Sequence, residues 1–381
     1  MKKLLISTIL ILLSFNTFSF AFIDTEAETA IVIDALTGQI LYEKNKDVKN
    51  YPASMTKIMT VLIIFEKLQN GTLTLDDKFI VSDKAWKERE GSSMFVEVDD
   101  EIRVEDLLRG IIIQSGNDAC IVVAENIAGS EKSFSIIMNS MVKEIGLSNT
   151  NFTNSTGMHD KDNYSTVYDM ALISQHLINN YPEYYHLFSE TEFEWEGIKQ
   201  KNRNPLLYKK MGVDGLKTGY LSASGYGLAA SATEGDRRLI SVTHGFSSSL
   251  KRSQGSSRLL TWAFREFENV LLNENSTVVG SIKIPSAKDK LTELASFKDI
   301  IITVPKSLKD KFATKIIIND NISAPINNGT SVAKLVVSIP NYDDQLFDLY
   351  AIEDVKEAGF FRRILNFVIS FFANLLSTIF S

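Results

Sequence analysis

Residues 51–71 read YPASMTKIMTVLIIFEKLQNG. A proline suits the first turn of a helix and an Asn-Gly pair is a typical stop signal, so the pattern predicts a helix from about Pro52 to Asn70. The apolar residues of this segment fall on nearly every face of the helix rather than on one stripe. A helix of this kind is buried on all sides in a globular protein, and we expect the N-terminal domain to be built around it.

The segments on either side of this helix predict one antiparallel sheet. Residues 30–42 (AIVIDALTGQILY) form two apolar runs around Thr37-Gly38, and residues 225–232 and 238–245 alternate on either side of a turn, so both stretches have the pattern of a hairpin. Further helical patterns lie between these strands, over residues 104–113, 118–128 and 134–145. Helices enclosed between N-terminal and C-terminal strands indicate an α+β domain.

The character of the sequence changes after residue 272. Short apolar runs bounded by Pro, Asn, Asp and Gly predict strands over residues 300–304, 315–318, 332–339 and 346–353. We therefore divide the chain into a first domain over 22–272 and a small β-rich domain over 273–354, with terminal segments over 1–21 and 355–381.

The N-terminal segment has the pattern of a secretory signal peptide. Two lysines precede an almost wholly apolar run over residues 4–13, and the small residues Ser19 and Ala21 lie at the positions that a signal peptidase requires. An N-terminal membrane anchor is the alternative, but the apolar run is shorter than the ~20 residues of a membrane span. We therefore expect the mature chain to begin at residue 22 and to be exported.

The C-terminal segment predicts an amphipathic helix. Polar residues recur every three or four positions and share one helical face, at Asn366, Ser370, Asn374, Ser377 and Thr378. The uncharged stretch over residues 364–380 would be about 25 Å long, short of a ~30 Å hydrocarbon core. We expect this helix to lie in the membrane interface with Arg362 and Arg363 at the headgroups. A steeply inserted helix and a helix packed on its own protein are the alternatives.

The composition excludes several classes of protein and argues against several kinds of ligand. The chain has 381 residues, of which 44% are hydrophobic and 23% charged, so a disordered or collagen-like protein is excluded. The formal charge of −7 and the absence of a basic run argue against a nucleic-acid partner. The single cysteine, Cys120, excludes an internal disulfide, and the four histidines lack metal-ligand spacing. We expect no metal and no other cofactor.

The chemistry begins with Ser54 and Lys57, which lie three residues apart and therefore on one face at the head of the buried helix. The same spacing recurs at Ser140/Lys143, Ser248/Lys251 and Ser331/Lys334, so it is not specific by itself. Two later motifs single out the first pair, because each occurs once in the mature chain: Ser115-Gly116-Asn117 and Lys217-Thr218-Gly219. The chain has no GxSxG element, which disfavours a Ser/His/Asp triad.

The order SxxK, SxN, KTG resembles the penicillin-binding proteins and serine β-lactamases. The flanking residues 51–57, 110–119, 213–219 and 259–264 are similar to those of the D-alanyl-D-alanine carboxypeptidases, the low-molecular-mass penicillin-binding proteins. The resemblance implies a penicillin-binding/β-lactamase-like catalytic domain, in which an antiparallel sheet carries a helical subdomain. The small β-rich domain and the C-terminal amphipathic helix would follow it.

The resemblance also implies three catalytic residues. Ser54 would be the nucleophile and Lys57 its base, provided that burial and the neighbouring Lys217 keep the Lys57 amine neutral. Ser115 would bridge the two lysines and pass the proton to the leaving amine. A helix cap is the alternative role for Ser115.

Substrate contacts are implied for six further residues, namely Asn117, Lys217, Thr218, Gly219, Tyr220 and Arg252. Lys217 and Thr218 would bind the substrate's terminal carboxylate, with Arg252 as a further basic residue nearby. Asn117 would bind the substrate backbone, and Gly219 would let that backbone lie against the strand. The backbone N–H groups of Ser54 and Tyr220 would hold the oxyanion. Relatives often have His at the position of Tyr220, so a role for its side chain does not carry over.

We expect a serine-type carboxypeptidase that removes the terminal D-alanine from peptidoglycan stem peptides through an acyl-enzyme on Ser54, and that penicillins acylate. A DD-endopeptidase that cuts crosslinks is the nearest alternative; a serine β-lactamase and a catalytically silent wall-binding scaffold are more distant ones. The expected location is the periplasmic face of the bacterial inner membrane, with the C-terminal helix on the membrane surface.

Overall fold

A computed structural model describes residues 23–88, 90–288 and 291–358. The strands of the first domain are β1 (Thr29–Asp34), β2 (Ile40–Lys44), β3 (Lys78–Ile80), β4 (Glu101–Arg103), β5 (Glu192–Trp195), β6 (Ile198–Lys201), β7 (Val213–Leu221), β8 (Gly225–Glu234) and β9 (Arg237–Phe246). Its α-helices are α1 (Lys57–Gln69), α2 (Asp83–Lys87), α3 (Val104–Arg109), α4 (Asn117–Ala128), α5 (Glu131–Glu144), α6 (Val167–Asn180), α7 (Pro182–Tyr185) and α8 (Ser249–Glu266).

The central sheet is antiparallel and has the strand order β2-β1-β9-β8-β7. It contains both predicted hairpins, and β7 is its edge strand. Both faces of the sheet are covered, because Ile31 and Ile33 pack into the helical core on the side of α6, whereas Ala30 and Val32 pack against α8. The alternation of side chains along a strand thus divides one apolar run between two cores.

The predicted buried helix is confirmed as α1, whose residues from Lys57 to Phe65 are all buried. Its first turn differs from the prediction, because Ala53–Thr56 form a 3₁₀ turn before the α-helix begins at Lys57. The predicted helix over 104–113 also changes along its length. It begins as α3 and continues as a π-helical turn, Gly110–Gln114, that ends directly at Ser115. Irregular helical turns therefore carry two of the predicted catalytic residues.

The C-terminal strands are β10 (Phe267–Asn273), β11 (Val278–Ile282), β12 (Thr292–Ala295), β13 (Ile300–Pro305), β14 (Ala313–Ile318), β15 (Ser331–Ser338) and β16 (Gln345–Ala351). They form a five-stranded sheet of order β11-β12-β16-β15-β14 and a β10-β13 pair, around a separate apolar core. The β-rich character predicted for this region is confirmed. Strand β10 begins before the predicted boundary at 272/273, and that boundary stays a prediction.

Two predicted features lie outside the described residues. These are the signal peptide over 1–21 and the C-terminal helix from residue 359 onward. The first residues of the 355–381 segment are not helical, because Val355 bridges Ile326, Glu357 bridges Ala287, and Ala358 is buried. Among the described residues, no helix has both the length and the apolar character needed to cross a membrane.

Arg237 joins the central sheet to strand β10. Arg237 Nε donates to Asp34 Oδ2 at 2.9 Å, and Arg237 Nη1 donates to the carbonyl of Phe267 at 2.6 Å. The Asp34 side chain is fully buried, and its other oxygen accepts the N–H groups of Leu36 and Thr37 in the β1–β2 turn. Removal of Arg237 would leave this carboxylate buried without its cation.

We therefore expect Arg237→Ala to lower the free energy of unfolding by about 3 kcal/mol, since breaking a buried pair leaves an uncompensated charge. Urea unfolding of the variant measures this loss. Arg265→Ala is the matched control, because Arg265 pairs with Glu266 while 62% of its side chain is exposed, and such surface pairs contribute at most about 1 kcal/mol. Equal losses in the two variants would contradict the structural role of the Arg237–Asp34 pair.

Candidate active site

The structure brings Ser54 and Lys57 together at the head of α1. Ser54 lies in the 3₁₀ turn and Lys57 is the first residue of the helix, so their side chains point the same way. Lys57 Nζ donates to Ser54 Oγ at 3.1 Å. Ser54 also lines an open cavity, whereas Lys57 is completely buried behind it. A nucleophile that faces the cavity is thus in contact with an amine that is shielded from water.

Lys57 has two further partners, and neither is charged. Its Nζ donates to Asn117 Oδ1 at 2.7 Å and to the carbonyl of Thr156 at 2.5 Å. Burial lowers the pKa of Lys57 from 10.5 to about 8, and the Arg203 cation acts in the same direction. Half of the amine is therefore neutral at a pH of about 8, which is the condition that a general base requires.

The Thr156 carbonyl belongs to a turn shaped by Asn154. Asn154 Oδ1 accepts the N–H groups of Thr156 at 3.2 Å and Gly157 at 2.7 Å. Gly157 has a φ of +80°, and a Cβ atom at this position would lie 1.9 Å from the carbonyl oxygen of Ala53. A side chain at residue 157 would therefore separate this turn from the segment that carries Ser54.

Ser115 and Asn117 reach the same cavity from the start of α4. Ser115 has a left-handed backbone with a φ of +62°, an uncommon conformation for a serine that often marks a functional site. Asn117 accepts from Lys57, and its Nδ2 donates to the carbonyl of Glu90 at 2.6 Å. No hydrogen bond joins the Ser115 hydroxyl to either lysine in the described ranges. The predicted bridging role of Ser115 therefore stays a prediction.

The neighbouring Asp118 holds a loop at the border of the cavity. The buried Asp118 carboxylate accepts the Ser93 hydroxyl at 2.5 Å and the N–H groups of Met94 and Phe95, each at 2.8 Å. Arg203 donates to the hydroxyl of Ser92 in the same loop. Ser92 and Arg203 line the cavity together, so this contact defines one of its walls.

Strand β7 supplies the opposite wall. Lys217, Thr218 and Gly219 lie on the edge strand, with one side paired to β8 and the other beside the 3₁₀ turn. A Cβ atom at Gly219 would lie 2.7 Å from the carbonyl oxygen of Pro52, so this close approach requires glycine. Burial lowers the pKa of Lys217 well below its ordinary value, and the cations of Lys57 and Arg203 lower it further.

Tyr220 and Arg252 complete the cavity. Tyr220 follows Gly219 on β7 with 51% of its surface exposed, and its ring packs at a tilt of 30° against the Tyr226 ring, with centroids 4.2 Å apart. Arg252 lies on α8 and is 8% exposed, and its Nε has no hydrogen-bond partner in the described part of the chain. Burial lowers the pKa of Arg252 to about 10.

The cavity has a volume of about 400 Å³. The described residues that line it are Ser54, Gly91, Ser92, Ser115, Asn117, Gly157, Met158, Arg203, Thr218, Gly219, Tyr220, Leu221 and Arg252, and none of them carries a carboxylate. Two arginines line the cavity and two buried lysines lie behind it. A cavity with this charge is suited to an anionic group next to the Ser54 hydroxyl.

Every residue predicted from the motifs thus lies at one cavity, apart from Lys57 and Lys217, which lie directly behind its wall. The described residues contain no group of three or more His, Cys, Asp or Glu side chains placed to hold a metal ion. Sequence reasoning missed Arg203, which has no motif around it, and the carbonyl of Thr156. The turn-forming composition of residues 154–157 (NSTG) was the available signal for the latter.

Comparisons with known proteins identify the family of the chain. The D-alanyl-D-alanine carboxypeptidase family matches residues 16–248, and the family of penicillin-binding protein 5 C-terminal domains matches residues 267–357. The chain is 37% identical over 363 residues to the D-alanyl-D-alanine carboxypeptidase DacC of Escherichia coli, across 93% of this chain and 91% of that protein.

Two further relatives cover both parts of the chain. The D-alanyl-D-alanine carboxypeptidase DacF of Bacillus subtilis is 38% identical over 381 residues, across 94% of this chain and 96% of that protein. The crystal structure of penicillin binding protein 5 from Haemophilus influenzae superposes with a TM-score of 0.82 at 35% identity, across 89% of this chain and 100% of that chain. The chain therefore belongs to the D-alanyl-D-alanine carboxypeptidase family of serine peptidases and has the penicillin-binding fold that its motifs predicted.

Proposed function

We propose that this chain removes the terminal D-alanine from peptidoglycan stem peptides through an acyl-enzyme on Ser54. The observation that carries the proposal is the 3.1 Å contact between Ser54 Oγ and the buried amine of Lys57. Family membership supplies the reaction class, and the site supplies a nucleophile, a base and an electropositive cavity.

The first half of the reaction forms an ester. Ser54 Oγ attacks the carbonyl carbon between the two D-alanines as its proton moves to Lys57 Nζ. The oxyanion is held by the backbone N–H groups of Ser54 and Tyr220. The carbon–nitrogen bond then breaks, and a proton reaches the leaving amine by way of Ser115. Free D-alanine departs, and the shortened peptide remains esterified to Ser54.

The second half consumes one water molecule. Lys57 is neutral again and accepts a proton from the water molecule as the water oxygen attacks the ester carbon. When the ester bond breaks, Lys57 returns this proton to Ser54 Oγ. The shortened peptide leaves with a new carboxylate. Burial of Lys57 serves both halves, because each requires the uncharged amine.

Substrate selection depends on charge. The terminal carboxylate lies among Lys217, Thr218 and Arg252, and Asn117 and the edge of β7 bind the peptide backbone. Penicillins carry a carboxylate beside a reactive amide and acylate the same serine. Gly219 supports this placement, because it brings the edge strand close to the Ser54 turn.

The terminal segments bear on where the enzyme is located. We propose that residues 1–21 direct export and that the C-terminal helix beyond residue 358 lies on the periplasmic surface of the inner membrane. The apolar side chains of that segment, its polar face and the pair Arg362 and Arg363 support this location. The catalytic domain would then lie in the same compartment as the peptidoglycan.

The reaction is tested by D-alanine release from a short acyl-Lys-D-Ala-D-Ala peptide. We expect the wild-type protein to release D-alanine, and Ser54→Ala to lose both release and covalent labelling by penicillin, because the nucleophile is absent. Ser140→Ala is the matched control, since Ser140 has the same spacing to a lysine but lies on the exposed face of α5. Labelling of the Ser54 variant at full stoichiometry would contradict the assignment. Labelling of the wild type without D-alanine release would favour crosslink cleavage instead.

The membrane attachment is tested by truncation. A chain that ends at Ala358 keeps every described residue but loses the amphipathic segment. We expect it to release D-alanine at the wild-type rate and to remain in the supernatant when sedimented with vesicles of anionic lipid, whereas the full mature chain pellets. Co-sedimentation of the truncated protein would show that the C-terminal segment is not the attachment.

A further inference from the structure

Arg252 is a buried cation with an unusual environment. Its guanidinium makes no hydrogen bond and no ion pair in the described part of the chain, although only 8% of the residue is exposed. Its contact is the ring of Tyr226, whose centroid lies 5.7 Å from the guanidinium carbon. An arginine side chain has several rotatable bonds, so a contact with a neighbouring residue is needed to fix its direction when the cavity is empty.

Tyr226 is placed to fix the direction of the Arg252 side chain. It is the second residue of β8, where it lies directly opposite Tyr220 of β7, and the two tilted rings are in contact with centroids 4.2 Å apart. Arg252 and Tyr220 line the cavity, whereas Tyr226 does not. The ring of Tyr226 therefore connects two residues of the cavity wall without facing the substrate.

We propose that Tyr226 is a positioning residue that holds the Arg252 guanidinium toward the cavity, where it binds the carboxylate of the substrate. The inference rests on the proposed function, because the carboxylate is the group that Arg252 would recognise. It goes beyond that function by assigning a role to a residue outside the motifs and outside the cavity lining.

An aromatic ring is suited to this role for an electrostatic reason. A carboxylate would hold Arg252 more tightly, but it would neutralise the guanidinium and compete with the substrate for its N–H donors. The face of a ring attracts the cation while it leaves the in-plane donors and the positive charge available. Tyr226 thus fixes the direction of the Arg252 side chain and leaves its N–H donors free for the substrate.

The test compares Tyr226→Leu, Tyr226→Phe and Arg252→Ala in the full mature chain. We expect Tyr226→Leu to raise KM for the acyl-Lys-D-Ala-D-Ala peptide about tenfold with little change in kcat. The reason is that Arg252 binds the carboxylate equally in the bound substrate and in the transition state, so both lose the same binding energy. Tyr226→Phe should keep the wild-type KM, because it retains the ring. Tyr350→Leu is the matched control, since it breaks a stacked pair with Phe297, 4.7 Å between centroids, in the other domain.

A double variant separates positioning from folding. If Tyr226 acts through Arg252, Tyr226→Leu should add almost nothing to the KM of Arg252→Ala. Additive losses, an unchanged KM in Tyr226→Leu, or a Phe variant as weak as the Leu variant would overturn the proposal. The acylation rate with benzylpenicillin, which carries a carboxylate, provides a second readout with the same expected pattern. Failure of the wild type to release D-alanine would count against the proposed function alone, because the penicillin rates would still test Tyr226.

Discussion

The burial of the Lys57 amine against uncharged partners is the constraint around which this site is arranged. Its three hydrogen bonds go to a serine hydroxyl, an amide oxygen and a peptide carbonyl, so no carboxylate is bound directly to the amine. Asp118 and Glu131 favour the ammonium form from a distance, but the effect of burial is larger. The apolar α1 removes the amine from water, and the resulting pKa of about 8 leaves a useful fraction of Lys57 neutral. A lysine on the surface would be protonated and could not accept the serine proton.

The same arrangement opposes stability. A lysine whose pKa is lower in the folded chain than in the unfolded one destabilises the fold while it is protonated, so the cost is complete below a pH of about 8 and disappears as the pH rises toward 10.5. Lys217 and Arg252 have lowered pKa values for the same reason, which is burial. Two packed cores on the faces of one sheet and a third in the β-rich domain offset this cost. Lys217 and Arg252 make no ion pair within the described ranges, so an anionic substrate can supply one.

The sequence predicted the parts of the site that reside in local patterns. The helix behind Ser54 followed from a proline, an Asn-Gly stop and an apolar run, and the three motifs in their order indicated the reaction class. The contacts made across long separations were not predictable in this way. Thr156 meets Lys57 through a backbone carbonyl 99 residues away, and a carbonyl has no residue identity. Arg203 and Tyr226 are single residues whose positions depend on how loops and strands pack, so their roles emerged only from the fold.

The mechanism depends on a neutral Lys57 amine, and a pH titration of this side chain by NMR measures its protonation. Lysine labelled with ¹³C at Cε reports the charge of each amine, and comparison with Lys57→Met assigns the Lys57 signal. We predict an inflection near pH 8 for Lys57, well below the ordinary lysine pKa of about 10.4. A Lys57 signal that titrates near that ordinary value would show that burial does not make this amine the base.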